Sequence, residues 1–234
     1  EIWSDVVCPW CHIGKRRFEA ALARFPRRDA VEVEWKAFEL DPGAPSAAAG
    51  DPVSPTEYAE RLARKYGTSV AGAQQMTDHM TRQAAAEGLE FRFDRAVRAN
   101  TFDAHQVIHL AAERGVQDAV KERLLTAYFG EGKAVGDRET LVRLAAEAGL
   151  DADEVRAALD DQRYAGAVRD DEAEAARLGI SGVPFFVVDR RYGVNGAQSA
   201  DELLRVLERA WSERSPLIPV DSDGAVCGPD GCAV

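Results

Sequence analysis

The sequence has few cysteines, no long apolar run and a shortage of basic residues. Four cysteines in 234 residues are too few to build a disulfide-stabilised scaffold of this length. No stretch reaches the eighteen or more uncharged apolar residues that a membrane span needs. Lysine and arginine number 29 against 40 acidic residues, and the net charge of −11 disfavours non-specific binding to a phosphate backbone. These shortages exclude a membrane protein and a general nucleic-acid binder.

The remaining composition is that of a globular chain. Hydrophobic residues make up 46 % and charged residues 29 %, which is enough to bury a core and excludes a disordered chain. At 234 residues we expect one large domain or a core with an insertion. The chain opens at Glu1 without a basic or apolar leader. We therefore expect a cytoplasmic location, where paired thiols are more often catalytic or metal-binding than structural.

The pattern of apolar residues predicts two β-rich regions separated by a helical block. Residues 2–7 and 31–40 are predicted strands on either side of a helix over 9–25, a βαβ unit with a parallel strand pair. Two further strands, 183–188 and 192–195, precede an amphipathic helix that ends near Trp211. The helices predicted between these regions cover residues 56–66, 69–87, 101–114, 116–129, 137–148, 151–160 and 164–178.

This order of elements predicts an α/β fold, a central mixed sheet flanked by helices, with a large inserted all-helical domain. Residues 1–40 and 166–211 are expected to form the discontinuous α/β domain, and residues 41–165 the insertion. Residues 212–234 are expected to be an extended tail. In that tail Cys227 and Cys232 enclose a four-residue turn that can close a small disulfide, either a second redox pair or an inert one.

The most informative motif is Cys8-Pro9-Trp10-Cys11, at the predicted junction of a strand and a helix. At that junction the helix N-terminus favours the thiolate form of Cys8, so we expect its pKa to be lowered. Cys11, three residues later, is placed to attack a mixed disulfide formed at Cys8. Pro9 stiffens the turn and Trp10 offers an apolar surface to a substrate. Inert buried thiols and half of a zinc site are the alternatives, with Cys227 and Cys232 spaced too widely for a zinc knuckle.

Several polar residues are assigned to the surface. Lys15, Arg16 and Arg17 are interpreted as a solvated helix face, and His105 as a surface histidine in a helix that begins near Thr101. His12 adjoins the cysteine motif and is interpreted as exposed, or as a positive charge favouring the thiolate. No metal-ligating set is predicted.

Two motifs together resemble a known family. The first motif is Trp3-Ser4-Asp5-Val6-Val7-Cys8-Pro9-Trp10-Cys11 followed by Gly14-Lys15, and the second is Gly182-Val183-Pro184-Phe185-Phe186. They are similar to the FrnE-like branch of the DsbA family of thioredoxin-fold oxidoreductases. The resemblance implies a thioredoxin-like fold in which Cys8 is the nucleophile, Cys11 the resolving cysteine and Pro184 a cis-proline facing them. It also implies that the Val183 backbone groups stay free to pair with an extended substrate, beside apolar contacts from Trp10 and Phe185.

The sequence departs from that family at one position. Its secreted members tend to carry an acidic residue six positions before the first cysteine, where this chain has Ile2. Kappa-type glutathione transferases and hydroxychromene-carboxylate isomerases of the same superfamily have serine in place of Cys8. A glutathione-linked transferase or isomerase, with glutathione as co-substrate, is therefore the second hypothesis, and a zinc-stabilised binding module is the third.

The favoured hypothesis is a thiol–disulfide oxidoreductase that needs no cofactor beyond its own Cys8–Cys11 disulfide. Its expected partners are a protein or small molecule carrying a thiol or a disulfide, and a redox recycling partner. Neither a nucleic acid nor a membrane is an expected partner.

Overall fold

A four-stranded mixed sheet forms the centre of the computed structural model, which describes residues 1–44, 55–214, 226–228 and 231–233. Its strands are β1 (Ile2–Ser4), β2 (Trp35–Ala37), β3 (Phe185–Val188) and β4 (Tyr192–Asn195), in the order β2-β1-β3-β4. β1 pairs with β2 in parallel and with β3 antiparallel, and β3 and β4 form an antiparallel hairpin. This arrangement confirms the predicted mixed sheet.

Helices account for most of the remaining described residues. They are α1 (Pro9–Arg24), α2 (Pro55–Tyr66), α3 (Val70–Ala86), α4 (Phe102–Glu113), α5 (Gln117–Phe129), α6 (Arg138–Glu147), α7 (Ala152–Asp160), α8 (Ala165–Arg177) and α9 (Ala200–Ser212). Side-chain caps fix several starts, as where Ser199 and Glu202 form a reciprocal capping box at α9. Helices α2 to α7 follow β2 and precede α8, so they form a helical insertion into the α/β core.

The two faces of the sheet bury different apolar clusters because side chains alternate along each strand. Ile2 and Phe186 lie in the main core, where Phe186 packs against Phe18 of α1 with ring centroids 5.8 Å apart. Trp3 points to the other face and packs with Ala175 of α8. Helices α1 and α9 pack together, while α8 packs on β2 and α4. None of the helices in the described ranges is long and apolar enough to cross a membrane.

Strand β2 is shorter than the sequence predicts. Only Trp35–Ala37 pairs with β1, whereas the alternation of residues 31–40 predicts a strand more than twice as long. The side chain of Gln117 on α5 occupies the outer edge of β2, accepting from the Trp35 N–H at 2.9 Å and donating to its carbonyl at 3.0 Å. The insertion therefore takes the edge hydrogen bonds of β2, and the sequence pattern carries no sign of this.

A second, two-stranded antiparallel sheet lies in the region predicted to be an extended tail. Its strands are β5 (Val226–Gly228) and β6 (Gly231–Ala233), and Cys227 is directly opposite Cys232 in their register.

Candidate active site

Cys8 lies at the junction where β1 leads into α1. It is the N-cap residue of the helix, with extended backbone angles, and Pro9 occupies the first helical position. The Cys8 carbonyl accepts hydrogen bonds from the N–H groups of Cys11 (3.1 Å) and His12 (3.4 Å), so one helical turn separates the two cysteines. Both are buried, Cys8 with 3 % and Cys11 with 0 % of its surface exposed. Cys8 is therefore the member of the pair nearer to solvent.

The segment before β3 lies against Cys8. The Cys8 thiol donates to the Val183 carbonyl, with 3.5 Å between Sγ and the oxygen, and the Val183–Pro184 peptide bond is cis. The Val183 N–H donates to no group within the described ranges. The structure thus brings Cys8, Val183 and Pro184 together. One of the two Val183 backbone groups expected to be free is occupied by the thiol.

Gly14 allows α1 to approach Pro184 closely. A Cβ built on Gly14 would lie 2.9 Å from Pro184 Cγ, and 3.5 Å from both Ala197 Cβ and the Phe186 ring. The first of these distances is shorter than real Cβ contacts, so a side chain here would force Pro184 or α1 to shift.

We expect Gly14→Ala to move Pro184 away from Cys8, to slow disulfide exchange several-fold, and to destabilise the fold by about 1–3 kcal/mol through overpacking. The matched control is Gly166→Ala in α8, where a Cβ would meet nothing within 4 Å and the gain in helix propensity is at most about 1 kcal/mol. Urea unfolding and the exchange rate check both variants. Equal stability and activity in the two would contradict this role for Gly14.

The predicted substrate contacts Trp10 and Phe185 belong to different apolar clusters. Trp10 is half-buried against the main core, and its ring lies 6.0 Å from that of His79 on α3. Phe185 packs with Val183 in the cluster of Trp3, under α8. The two aromatic side chains therefore do not form one continuous apolar wall.

The reduced cysteine pair holds its protons more tightly than the sequence predicts. The hydrogen bond with the Cys11 side chain, burial, and repulsion from a Cys11 thiolate together raise the pKa of Cys8 well above that of an ordinary thiol. The expectation of a lowered pKa is therefore wrong for the reduced pair, because two sulfurs so close cannot both ionise. In the reduced pair the Cys8 thiol is therefore mostly protonated at neutral pH.

Residues of α1 that were assigned to the surface are buried against α5. Lys15 is 1 % exposed, forms an ion pair with Glu19, and lies 3.1 Å from both Asp118 and Glu122. His12 is buried with its Nε2 3.5 Å from Glu122, and burial lowers the pKa of His12, so it is neutral at pH 7. The predicted solvated face is wrong for Lys15 because acidic residues of the insertion supply its counter-charges.

A buried polar cluster lies between the end of β1 and the insertion. Asp5, His105 and Lys121 are each at most 1 % exposed, so the prediction that His105 is a surface residue is wrong. Asp5 accepts the Leu40 N–H at 2.8 Å and lies 3.5 Å from His105 Nε2. Burial opposes ionisation of Asp5, but His105 and the Leu40 N–H together lower its pKa. Lys121 Nζ lies 3.4 Å from the Ser4 carbonyl oxygen.

The sequence carries a signal for Lys121 outside the cysteine and proline motifs. Leu124, Leu125 and Tyr128 follow it at helical spacings of three, four and seven residues, and all three are buried. Lys121 is therefore a charged residue on the apolar face of a helix, which marks a buried ionisable group. Asp5 shows no comparable pattern because it follows a strand of only three residues, Ile2–Ser4.

Cys227 and Cys232 occupy directly opposed positions of β5 and β6. Opposed residues of an antiparallel pair have Cα atoms about 4.5–5.5 Å apart, a separation compatible with a disulfide. Within the described ranges, no group of three or more His, Cys, Asp and Glu side chains is arranged to hold a metal ion.

The four-stranded mixed sheet, with a dithiol at the start of α1 and a cis-proline facing it, defines a thioredoxin-fold protein of the oxidoreductase type. Residues 1–208 match the model of the DsbA-like thioredoxin domain family. The chain belongs to that family of DsbA-like thiol–disulfide oxidoreductases.

Two solved structures and a curated relative are similar to this chain over most of its length. A probable DsbA oxidoreductase from Streptomyces coelicolor is 50 % identical, with a TM-score of 0.88 over 100 % of this chain and 97 % of that one. The uncharacterized protein YwbO of Bacillus subtilis is 31 % identical over 216 residues, 91 % of this chain and 95 % of its own length. The cytosolic disulfide reductase DsbM of Pseudomonas aeruginosa shares the fold, with 21 % identity and a TM-score of 0.60 over 90 % of this chain and 98 % of that one.

Proposed function

We propose that this protein exchanges disulfides with thiol- or disulfide-containing substrates through Cys8 and Cys11, opposite Pro184. The observation that carries the proposal is the position of Cys8, at the N-terminus of α1, 3.5 Å from the Val183 carbonyl, with Cys11 one turn behind it. Cys8 is nearer to solvent than Cys11, which is fully buried one helical turn behind it. The positive end of the α1 dipole favours negative charge on this sulfur, but in the reduced pair the hydrogen bond with Cys11 and burial outweigh that effect.

Exchange takes place by two substitutions at sulfur. In the reductive direction the Cys8 thiolate attacks a substrate disulfide, forms a mixed disulfide and releases one substrate thiolate. Deprotonated Cys11 then attacks Cys8 Sγ, releases the second substrate thiolate and leaves the Cys8–Cys11 disulfide. The substrate gains two electrons, the protein loses two, and a redox recycling partner restores the dithiol. The oxidative direction is the same sequence reversed.

The backbone beside Pro184 offers a binding edge for an extended substrate. The Val183 N–H has no acceptor within the described ranges, so it can donate to a substrate carbonyl. The Val183 carbonyl accepts the Cys8 thiol in the reduced state and becomes available once that sulfur carries a substrate. Trp10, two residues after Cys8 and half-buried against the main core, supplies an apolar contact.

The finer assignments belong to the same proposal. The motifs around Cys8 and Pro184 support the FrnE-like branch, and cysteine at position 8 favours disulfide exchange over the glutathione-linked isomerases and transferases that carry serine there. The opposed positions of Cys227 and Cys232 support a second redox pair that exchanges with the first. A cytoplasmic location is supported by the low cysteine content.

Catalysed reduction of insulin by dithiothreitol tests the proposed activity. The wild-type protein should shorten the lag before insulin precipitates, in proportion to protein concentration. A variant carrying Cys8→Ser and Cys11→Ser should give the uncatalysed lag. Equal catalysis by the two proteins would show that the cysteine pair is not the site of exchange.

A further inference from the structure

Lys121 is a cation buried without a direct counter-charge. Its side chain is 0 % exposed, and it forms no ion pair within the described part of the chain. Its Nζ lies 3.4 Å from the Ser4 carbonyl oxygen and 5.5 Å from the centre of the Trp35 ring. A buried ammonium is costly unless an opposite charge compensates it. A group that becomes negative during the reaction would supply that charge.

Contacts on the β1 side place Lys121 close to the cysteine pair. The Ser4 carbonyl, which Lys121 approaches, is the last group of β1. The next residue, Asp5, accepts the Cys8 N–H through its carbonyl at 3.2 Å. Lys121 therefore lies below the turn that carries Cys8.

Contacts on the α1 side lead to Cys11. Glu122, which follows Lys121 in α5, lies 3.5 Å from His12, which follows Cys11 in α1. The Cys11 thiolate is the strongest electrostatic partner of Lys121. Burial lowers the pKa of Lys121 to about 8, so most molecules carry the ammonium at pH 7.

The other charged groups around Lys121 do not replace this partner. Asp5 is already engaged by His105 and the Leu40 N–H. Lys15 repels Lys121 but is compensated by its own carboxylates. The titratable groups that face Lys121, directly or through these partners, are Asp5, Cys8, Cys11, Lys15 and His105, with Glu19, Asp118, Glu122 and His12 around Lys15.

We propose that Lys121 is a positioning residue for the resolving step, in which its buried ammonium stabilises the Cys11 thiolate while Cys8 is held in a mixed disulfide. The inference rests on the proposed disulfide exchange. Cys11 loses its proton to water, and its sulfur then forms a bond to Cys8 Sγ as the bond from Cys8 to the substrate sulfur breaks. The substrate leaves as a thiolate that takes up a proton at its own pKa. Lys121 keeps its proton throughout and changes only the ease with which Cys11 ionises.

Stopped-flow reaction of the reduced protein with a small excess of dithiobis-nitrobenzoate separates the two steps. Cys227 and Cys232 are replaced by serine, so that only the first pair reacts. The first thionitrobenzoate is released when Cys8 attacks, and the second when Cys11 resolves the adduct. We expect Lys121→Met to slow the second phase about tenfold and to move its pH profile to higher pH by about one unit. The first phase should change no more than about threefold, because Cys8 is the weaker partner of Lys121.

Two further variants separate charge from shape. Lys121→Arg keeps the charge and should restore most of the second-phase rate, and Lys133→Met, which removes an exposed lysine, should leave both phases unchanged. An unchanged second phase in Lys121→Met, or an equally slow one in Lys121→Arg, overturns the inference. A wild-type second phase that rises with pH like a free thiol, towards about 8.5, overturns it even if no variant folds. Absence of a second phase in the wild type instead overturns the proposed function itself.

Discussion

Cys8→Ser is expected to lower the rate of disulfide exchange by about a thousandfold or more, whereas Cys11→Ser should stop the reaction halfway. A serine hydroxyl at position 8 cannot attack a disulfide at neutral pH or carry a mixed disulfide. With serine at position 11, the Cys8 thiol loses the neighbouring sulfur whose hydrogen bond raises its pKa. The first attack should therefore be at least as fast as in the wild type, and the adduct should persist because no second thiol resolves it.

Intact-protein mass spectrometry after mixing with glutathione disulfide measures this asymmetry. Both variants carry Cys227→Ser and Cys232→Ser, so that any adduct reports on the first pair. The Cys11→Ser protein should accumulate one glutathione per chain, and the Cys8→Ser protein none. A stable adduct on Cys11 in the Cys8→Ser protein would reverse the assigned roles of the two cysteines.

Asp171→Ala should destabilise the fold by about 3 kcal/mol. Asp171 is 4 % exposed and joins α8 to β2, where its Oδ2 accepts the Ala37 N–H at 2.9 Å. The same oxygen lies 2.9 Å from His109 Nε2, and Oδ1 lies 3.3 Å from Lys36 Nζ. The substitution leaves the buried Ala37 N–H without an acceptor, which costs about 1–3 kcal/mol of stability. It also removes the negative charge that His109 and Lys36 share as a partner.

The stability difference should depend on pH in a defined direction. Burial opposes ionisation of Asp171, but His109, the Ala37 N–H and Lys36 outweigh it and lower its pKa. Because the pKa of Asp171 is lower in the folded state, its ionised carboxylate stabilises the fold at pH values above about 3.9, the pKa in the unfolded chain. This stabilisation is lost as the pH falls from there through the folded-state pKa. Urea unfolding should therefore show the full difference at pH 7 and a smaller one near pH 3. Asp170→Ala, on the exposed face of the same helix, is the control and should change stability by no more than about 0.5 kcal/mol.

The sequence predicts the fold well where local patterns carry the information. The strand over Tyr192–Asn195 and the ends of most helices lie within one or two residues of their predicted positions. Capping residues, such as Ser199 at α9, explain this agreement because they satisfy the backbone of the first helical turn locally.

The sequence predicts the environment of the site less well. The order of strand, cysteine motif and helix is local, so it places Cys8 and Cys11 correctly at the start of α1. The charges beneath them come from a distant helix, since Lys15 and Glu122 are separated by 107 positions yet lie 3.1 Å apart. Whether a lysine or histidine is exposed or buried depends on such tertiary contacts. The sequence alone therefore predicts the wrong environment for Lys15 and His105.

The pKa of Cys8 shows the same limit. The helix N-terminus is visible in the sequence, but the hydrogen bond with Cys11 and the burial of both sulfurs arise only in the folded pair. The helix N-terminus alone would lower the pKa of an isolated Cys8 thiol, and the neighbouring sulfur reverses that direction in the dithiol. Titration of the reduced protein should therefore find the Cys8 thiol still protonated at a pH where an ordinary thiol, with a pKa near about 8.5, is mostly ionised.

The most direct test of disulfide exchange at Cys8 and Cys11 is to equilibrate the protein with glutathione buffers of graded redox potential. The samples are then quenched with acid and alkylated, and their peptides are analysed by mass spectrometry. The peptide containing Cys8 and Cys11 should pass from doubly alkylated to internally disulfide-bonded in a single two-electron transition. Separate glutathione adducts on the two cysteines, or two alkylated thiols at every potential, would contradict the account.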